Sequence, residues 1–270
     1  MSSLSRTHLY SISKHLFQAP AAQRPSRAIQ GPATRAAPRR LQNPTYSRRS
    51  FSTSSSRETL IPYVISREPR GERVSDVYSR LLQERIVFLN GPIDDALSSV
   101  VVAQLLFLEA ESTSPISLYI NSPGGSVTAG LAIYDTMQFI TCPVHTIVVG
   151  QASSMASLIL AGGEAGQRSA LAHSSIMIHQ PSGGAGGQAS DISIIANEIL
   201  RIREKMFDLY ADHCILPDEE REHARSRFER MLDRDHYLVP SAAIDQGIID
   251  QVLKKRPADF GKKESGHGHE

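Results

Sequence analysis

The sequence contains no tryptophan and only two cysteines in 270 residues. Two thiols cannot form the disulfide framework of a small secreted scaffold; in a reducing compartment Cys142 and Cys214 are expected as free, packed side chains. Acidic residues are missing from positions 1–57, which carry nine Arg and one Lys. The remainder holds 19 basic and 28 acidic residues, a net charge of −9 hidden beneath the overall +1. An acidic body speaks against nucleic acid as the main partner. No G-x-x-x-x-G-K-[ST] occurs, which speaks against a Walker-type nucleotide site. Residues 136–163 have no formal charge, but Pro143, His145, Gln151, Ser153, Ser154 and Ser157 interrupt them. So many polar groups in lipid would cost on the order of several kcal/mol. No membrane span is expected, and a buried strand followed by a buried helix explains the stretch better.

What is present at the start is Arg, Ser, Ala and Pro. Arg39-Arg40, Arg48-Arg49 and the Ser52–Ser56 run cannot bury enough apolar surface to offset chain entropy. An Arg- and Ser-rich, acid-free leader reads as a mitochondrial transit peptide covering residues 1–58. Arg49-Ser50-Phe51-Ser52 is similar to a processing site, and a mature chain starting between Ser52 and Leu60 in the matrix is expected. The 40% hydrophobic content supports a real core, placed in one domain over 59–253. Residues 254–270 read as a disordered polar tail, in which His267 and His269 are expected to be inert rather than metal ligands.

The body alternates strands and helices. Strands are expected at Ile86–Leu89, Ile116–Ile120, Val144–Val149, Ile176–Ile178 and Ile248–Leu253. Helices are expected at Ala96–Ala110, Val127–Ile140, Ser154–Ala161, residues 217–230 and Ser241–Gln246. Asp94 or Asp95 would cap the first helix, whose Val100, Val101, Leu105, Leu106 and Leu108 predict deep burial. The alternation implies an α/β layered fold with parallel pairing. After Pro181 a glycine-rich link, Ser182–Gly187, leads into a long amphipathic helix at Asp191–His213. Its stripe of Ile195, Ile199, Ile202, Met206 and Leu209 suits either its own sheet or a second subunit.

Three segments could carry chemistry. Asn121-Ser122-Pro123-Gly124-Gly125-Ser126 joins a strand to a helix; its glycines admit close backbone approach, and the helix start offers free N–H groups. That suits an oxyanion hole or a phosphate. Gly150-Gln151-Ala152-Ser153-Ser154-Met155 presents a serine at a strand-to-helix turn, where the dipole favours developing negative charge. The residues alone do not choose Ser153 over Ser154. Met177-Ile178-His179-Gln180-Pro181 ends an apolar strand in a histidine. Asp233, Asp235 and Asp245 are all candidates for the acid that would orient it.

These segments, together with Glu84-Arg85-Ile86-Val87, Gly91-Pro92-Ile93-Asp94-Asp95 and Tyr134-Asp135-Thr136-Met137-Gln138, occur in the order and spacing of one family. From Leu60 to Leu253 the chain resembles the proteolytic subunits of the Clp protease family, in their mitochondrial form. The resemblance implies a crotonase-like layered fold with a projecting handle at about 182–213. It implies a serine endopeptidase with Ser154 as nucleophile, His179 as general base and Asp235 as acid. Gly125 and Met155 match the oxyanion hole, and Ser182–Gln188, with Gly184 and Gln188, the strand-like edge that binds unfolded substrate. It further implies two stacked heptameric rings, no cofactor in this chain, and a ClpX-type AAA+ unfoldase that uses the ATP. Tyr119 and Phe139 match the docking groove for that partner, and Leu60–Val64 the axial gate. Ser153, Ala156, His173, Ser175 and Gly186 depart from the family's usual residues without touching the triad. A crotonase-type acyl-CoA enzyme shares the fold, but it would need no Ser–His–Asp set and would leave the long helix unexplained.

Overall fold

The computed structural model describes residues 62–68 and 71–255. The expected leader with its processing site, Leu60 and Ile61 of the expected gate, and the tail beyond Lys255 lie outside the described residues. In chain order the elements are β1 (Tyr63–Glu68), β2 (Gly71–Asp76), α1 (Val77–Gln83), β3 (Ile86–Asn90), α2 (Asp95–Glu111), β4 (Ile116–Ser122), α3 (Val127–Phe139) and β5 (Val144–Ser153). They continue with α4 (Met155–Ala161), β6 (Arg168–Leu171), β7 (Ser175–Ile178), α5 (Ala189–His213), α6 (Arg221–Met231), β8 (His236–Leu238), α7 (Pro240–Asp245) and β9 (Gln251–Leu253).

β3, β4, β5, β6 and β9 lie side by side, all parallel. This is the α/β layered fold expected from the alternation. Ile116, Leu118 and Ile120 of β4 are fully buried, as are Val101, Leu105 and Leu108 of α2 and Leu158, Ile159 and Leu160 of α4. Asp94, not Asp95, caps α2, accepting from the Leu97 N–H at 2.8 Å. The far end of α2 is tied down by Arg85, whose guanidinium donates to the carbonyls of Leu108, Ser112 and Ser114.

Several expectations need correction. α2 is not buried all round: Val100, Leu106 and Phe107 are exposed, because only one side of the helix faces the layer it packs on. The closing strand begins at Gln251; Ile248 and Ile249 are buried instead in the turn after α7, with both N–H groups donating to the Ala243 carbonyl. The third strand does not stop at Val149 but runs through Gly150 to Ser153. Gly150 has φ +95, and a Cβ there would sit 2.8 Å from the Asn121 side chain.

That extension positions the site. Before Gly150, β5 pairs with β6; beyond it, Gln151–Ser153 pairs with β7. β7 in turn pairs with β8, and this pair is antiparallel. One strand thus serves the main sheet with its first half and a small three-stranded extension with its second.

The long helix divides in the same way. Met206, Phe207, Tyr210 and Ala211 of α5 are buried, whereas Ile192, Ile194, Ile195 and Leu200 are exposed. Its C-terminal half is anchored on the body and its N-terminal half presents an uncovered apolar stripe. No helix among the described residues is long and apolar enough to cross a membrane.

Candidate active site

Three strand ends meet at one edge of the extension. Ser153 pairs with Met177, so the residue that follows β5, Ser154, lies beside the end of β7. Ile178 pairs with His236, and because β8 runs the other way, Asp235 precedes its strand where His179 follows its own. The register alone places Ser154, His179 and Asp235 together.

Side chains complete the arrangement. Ser154 Oγ lies 2.8 Å from His179 Nε2, and His179 Nδ1 lies 3.0 Å from Asp235 Oδ1. A carboxylate only accepts, so Nδ1 carries the imidazole proton and Nε2 is left to accept from the serine hydroxyl. Ser153, which the residues alone could not separate from Ser154, is 7% exposed at the strand end, and the imidazole's hydrogen bonds run to Ser154 and Asp235 instead. Asp233 engages Gln180 through its backbone carbonyl (2.8 Å) and Asp245 ends α7. Among the described residues, the carboxylate on His179 is that of Asp235.

Ser154 adopts φ +55, ψ −125, a conformation that L residues rarely take. Its N–H donates to the Met177 carbonyl at 2.8 Å. Met155 then opens α4, so its N–H has no carbonyl one turn earlier to bond. The glycine loop packs against this turn. The Ile93 N–H donates to Gly124 O (2.9 Å) and the Ser126 N–H to Ile93 O (2.8 Å). Extended backbone alternates its polar groups, so this bridge turns the Gly125 N–H away from Ile93. A Cβ on Gly124 would fall 2.6 Å from Ser153 O and 2.7 Å from Ser154 Cβ. Gly124→Ala is therefore expected to push the loop off the turn; if Gly125 and Met155 form the oxyanion hole that the resemblance implies, hydrolysis should fall by about 10²–10³, the usual worth of such a donor. Steady-state hydrolysis of a short peptide checks this, and a variant within threefold of wild type refutes it.

Beside Ser154 lies a small cavity lined by Val127, Met155, Leu158, Pro181, Met206 and Tyr210. An open groove of about 620 Å³ continues past His179, Ser182 and Gly183 toward Asp233 and Arg234. Gly184 and Gln188 lie exposed beyond it, with Gln188 at the start of α5. Ser182–Gln188, expected as a strand-like edge, pairs with no strand among the described residues.

The two docking candidates stand apart in character. Tyr119 is half-buried on β4 against Phe88, which meets Tyr78 edge-on at 5.6 Å between ring centres. Phe139, the last residue of α3, is 78% exposed. Both cysteines are free and buried, and burial pushes the Cys214 thiol up to about 12, too basic for a nucleophile. Among the described residues no three His, Cys, Asp or Glu side chains gather as metal ligands.

The sequence reading missed two polar groups that hold this region together. Ser157 sits fully buried inside α4, bonded to Tyr210 of α5, and Arg168 is buried against Asp250. A serine within the apolar run Met155–Ala161 was the one visible sign of the first. Nothing in the spacing marked the second.

A protein-family model described as Clp protease matches residues 69–256, a span that contains Ser154, His179, Asp235 and both glycine-bearing turns.

Proposed function

The chain belongs to the Clp protease family, whose members are serine peptidases, and on that premise we propose that Ser154, His179 and Asp235 form its catalytic triad and that unfolded polypeptide is its substrate. The observation that carries the assignment is the unbroken chain of contacts, 2.8 Å from Ser154 Oγ to His179 Nε2 and 3.0 Å from Nδ1 to Asp235.

His179 takes the Ser154 proton as Oγ attacks a peptide carbonyl. Asp235 holds the imidazole in the tautomer that can accept, and stabilises the positive charge it gains. The negative charge on the tetrahedral intermediate is met by the N–H groups of Gly125 and Met155. His179 then protonates the leaving amine, and a water activated by the same imidazole releases the acyl group from Ser154. The groove past Ser182 and Gly183 suits an extended chain, with Gly184 and Gln188 along its path. No step calls for a metal or cofactor.

The assembly in this reading is a homo-oligomer of two stacked heptameric rings. The uncovered apolar stripe of α5 supports it, since such a face is stable when a second copy covers it. A ClpX-type AAA+ unfoldase would supply extended substrate at the expense of ATP, docking near Tyr119 and Phe139. The acid-free, Arg-rich first 57 residues support a matrix location and a role in mitochondrial protein quality control.

Labelling with a fluorophosphonate, followed by peptide mapping, tests the core of the reading. An adduct on Ser154 is the expected result. An adduct on Ser153 would move the nucleophile, and a fully assembled protein that takes no label would end the assignment.

A further inference from the structure

The backbone of Ser154 must be held where it is. A non-glycine residue at φ +55, ψ −125 is strained and persists only where its surroundings over-determine it. The Ser157 hydroxyl supplies much of that restraint. It lies 2.6 Å from the Ser154 carbonyl, 2.9 Å from the Met177 carbonyl and 2.9 Å from the Tyr210 hydroxyl. The Ser157 N–H also donates to the Ser154 carbonyl at 2.9 Å. Met177 precedes His179 by two residues on β7, and its carbonyl already accepts the Ser154 N–H. The hydroxyl thus ties the turn bearing the nucleophile to the strand bearing the base.

Proton counting sets the direction of the bonds. Ser157 has one proton, and two of its three neighbours are carbonyls that only accept. The phenol must therefore donate to Ser157 Oγ; if it accepted, both carbonyls would lose the serine proton and the phenol proton would have no acceptor. Ser157 is fully buried and Tyr210 is 3% exposed, so water does not relieve either arrangement. The phenol is itself fixed, stacked on Phe228 of α6 at 5.0 Å and 19°. Burial holds its pKa above the ordinary 10, so it remains a donor.

We propose that Ser157 and Tyr210 are positioning residues for the reaction: Tyr210, at the anchored base of the long helix, directs the Ser157 proton onto the Ser154 and Met177 carbonyls and so keeps Ser154 Oγ aimed at His179. The inference rests on Ser154 being the nucleophile and goes beyond it by linking α5 to the nucleophile's geometry. A buried pair with a merely structural role would change stability and leave turnover per assembled molecule alone.

The test uses the full assembled chain as wild type, Tyr210→Phe, Ser157→Ala and the double variant. Tyr210→Phe keeps the ring and its stacking and removes one hydroxyl. It is expected to lower kcat on a short fluorogenic peptide about tenfold, and Ser157→Ala about thirtyfold, with KM within twofold. The double variant should lose no more than Ser157→Ala alone, because both act through one hydroxyl. The rate of fluorophosphonate labelling at Ser154 should fall in step with kcat. Turnover and labelling of Tyr210→Phe within twofold of wild type overturn the proposal, as do losses that multiply in the double variant. If Ser157→Ala does not assemble, Tyr210→Phe alone decides. Wild type that fails to label at Ser154 would sink the triad reading and this proposal with it; labelled wild type with unchanged variants sinks this proposal only.

Discussion

Ser154→Ala should reduce peptide hydrolysis by about 10⁴–10⁶ while leaving the fold and the assembled species intact. The expectation of near-complete loss follows from the proposed triad, in which the three side chains act as one unit. Without Oγ, His179 has no proton to take and Asp235 has no developing charge to stabilise. In the proposed mechanism the backbone donors at Gly125 and Met155 remain and would account for the residual rate. The fold should survive because, among the described residues, the hydroxyl hydrogen-bonds His179 alone, and the bonds that hold the turn run through the backbone of Ser154 and through Ser157. Initial rates on a fluorogenic peptide, measured on the fraction that elutes as wild type does in gel filtration, provide the check. A variant that retains a tenth of wild-type activity would exclude Ser154 as the nucleophile.

Asp250→Ala should produce the largest loss of stability. Arg168 is 6% exposed, and its guanidinium donates to both Asp250 oxygens, at 3.0 and 2.7 Å, and to the His213 carbonyl at 2.8 Å. The pair therefore fastens β6 to the turn before β9 and to the last turn of α5. Removing the carboxylate strands a buried cation, at a cost of about 3–5 kcal/mol. For a body of this size, that is a fall of roughly 6–20 °C in Tm. Replacing both members with apolar residues of similar volume should cost much less. The pH dependence has a definite sign. Burial alone would raise the Asp250 carboxyl, but its hydrogen bonds from Arg168 hold it below the ordinary 3.8. A carboxyl depressed in the folded state contributes stability above its unfolded value and loses it as pH falls through the folded one. The gap in Tm between wild type and variant should therefore be full at pH 7 and narrow in acid below about pH 4. A gap that is small at pH 7, or that widens in acid, would show that the pair does not act this way.

The difference between the two groups shows what could be read from the chain. The nucleophile turn was legible because strand, glycine and helix follow one another within a dozen residues, and the apolar runs of β3, β4 and α4 carry their burial in their composition. The acid was not legible from the residues. Asp233, Asp235 and Asp245 are equivalent by residue type; the family resemblance picks out Asp235, and the antiparallel register of β8 against β7 supplies the physical reason. β6 and β8 escaped notice because they have four and three residues. One begins with an arginine that is buried only because Asp250 meets it; the other begins with two exposed residues, His236 and Tyr237. Neither has the apolar alternation that marks a strand. The extension of β5 was hidden by Gly150, which reads as punctuation but here bends a strand that continues. The glycine-bearing loop and the turn it packs against are 30 residues apart, and only the missing Cβ at Gly124 hints at their contact.

The antiparallel pairing of β8 also bears on the order of events as a ribosome makes this chain. Ser154 and His179 emerge first, but the carboxylate that orients the imidazole arrives only after α5 and α6 have been synthesised, and it is seated only once β8 has paired with β7. Tyr210 and Asp250 likewise come from late segments. A nascent or prematurely terminated chain that stops short of β8 therefore carries the serine without the machinery to activate it. In the proposed mechanism, competence to cut would come only with near-complete folding, so that half-made copies could not attack themselves or their neighbours.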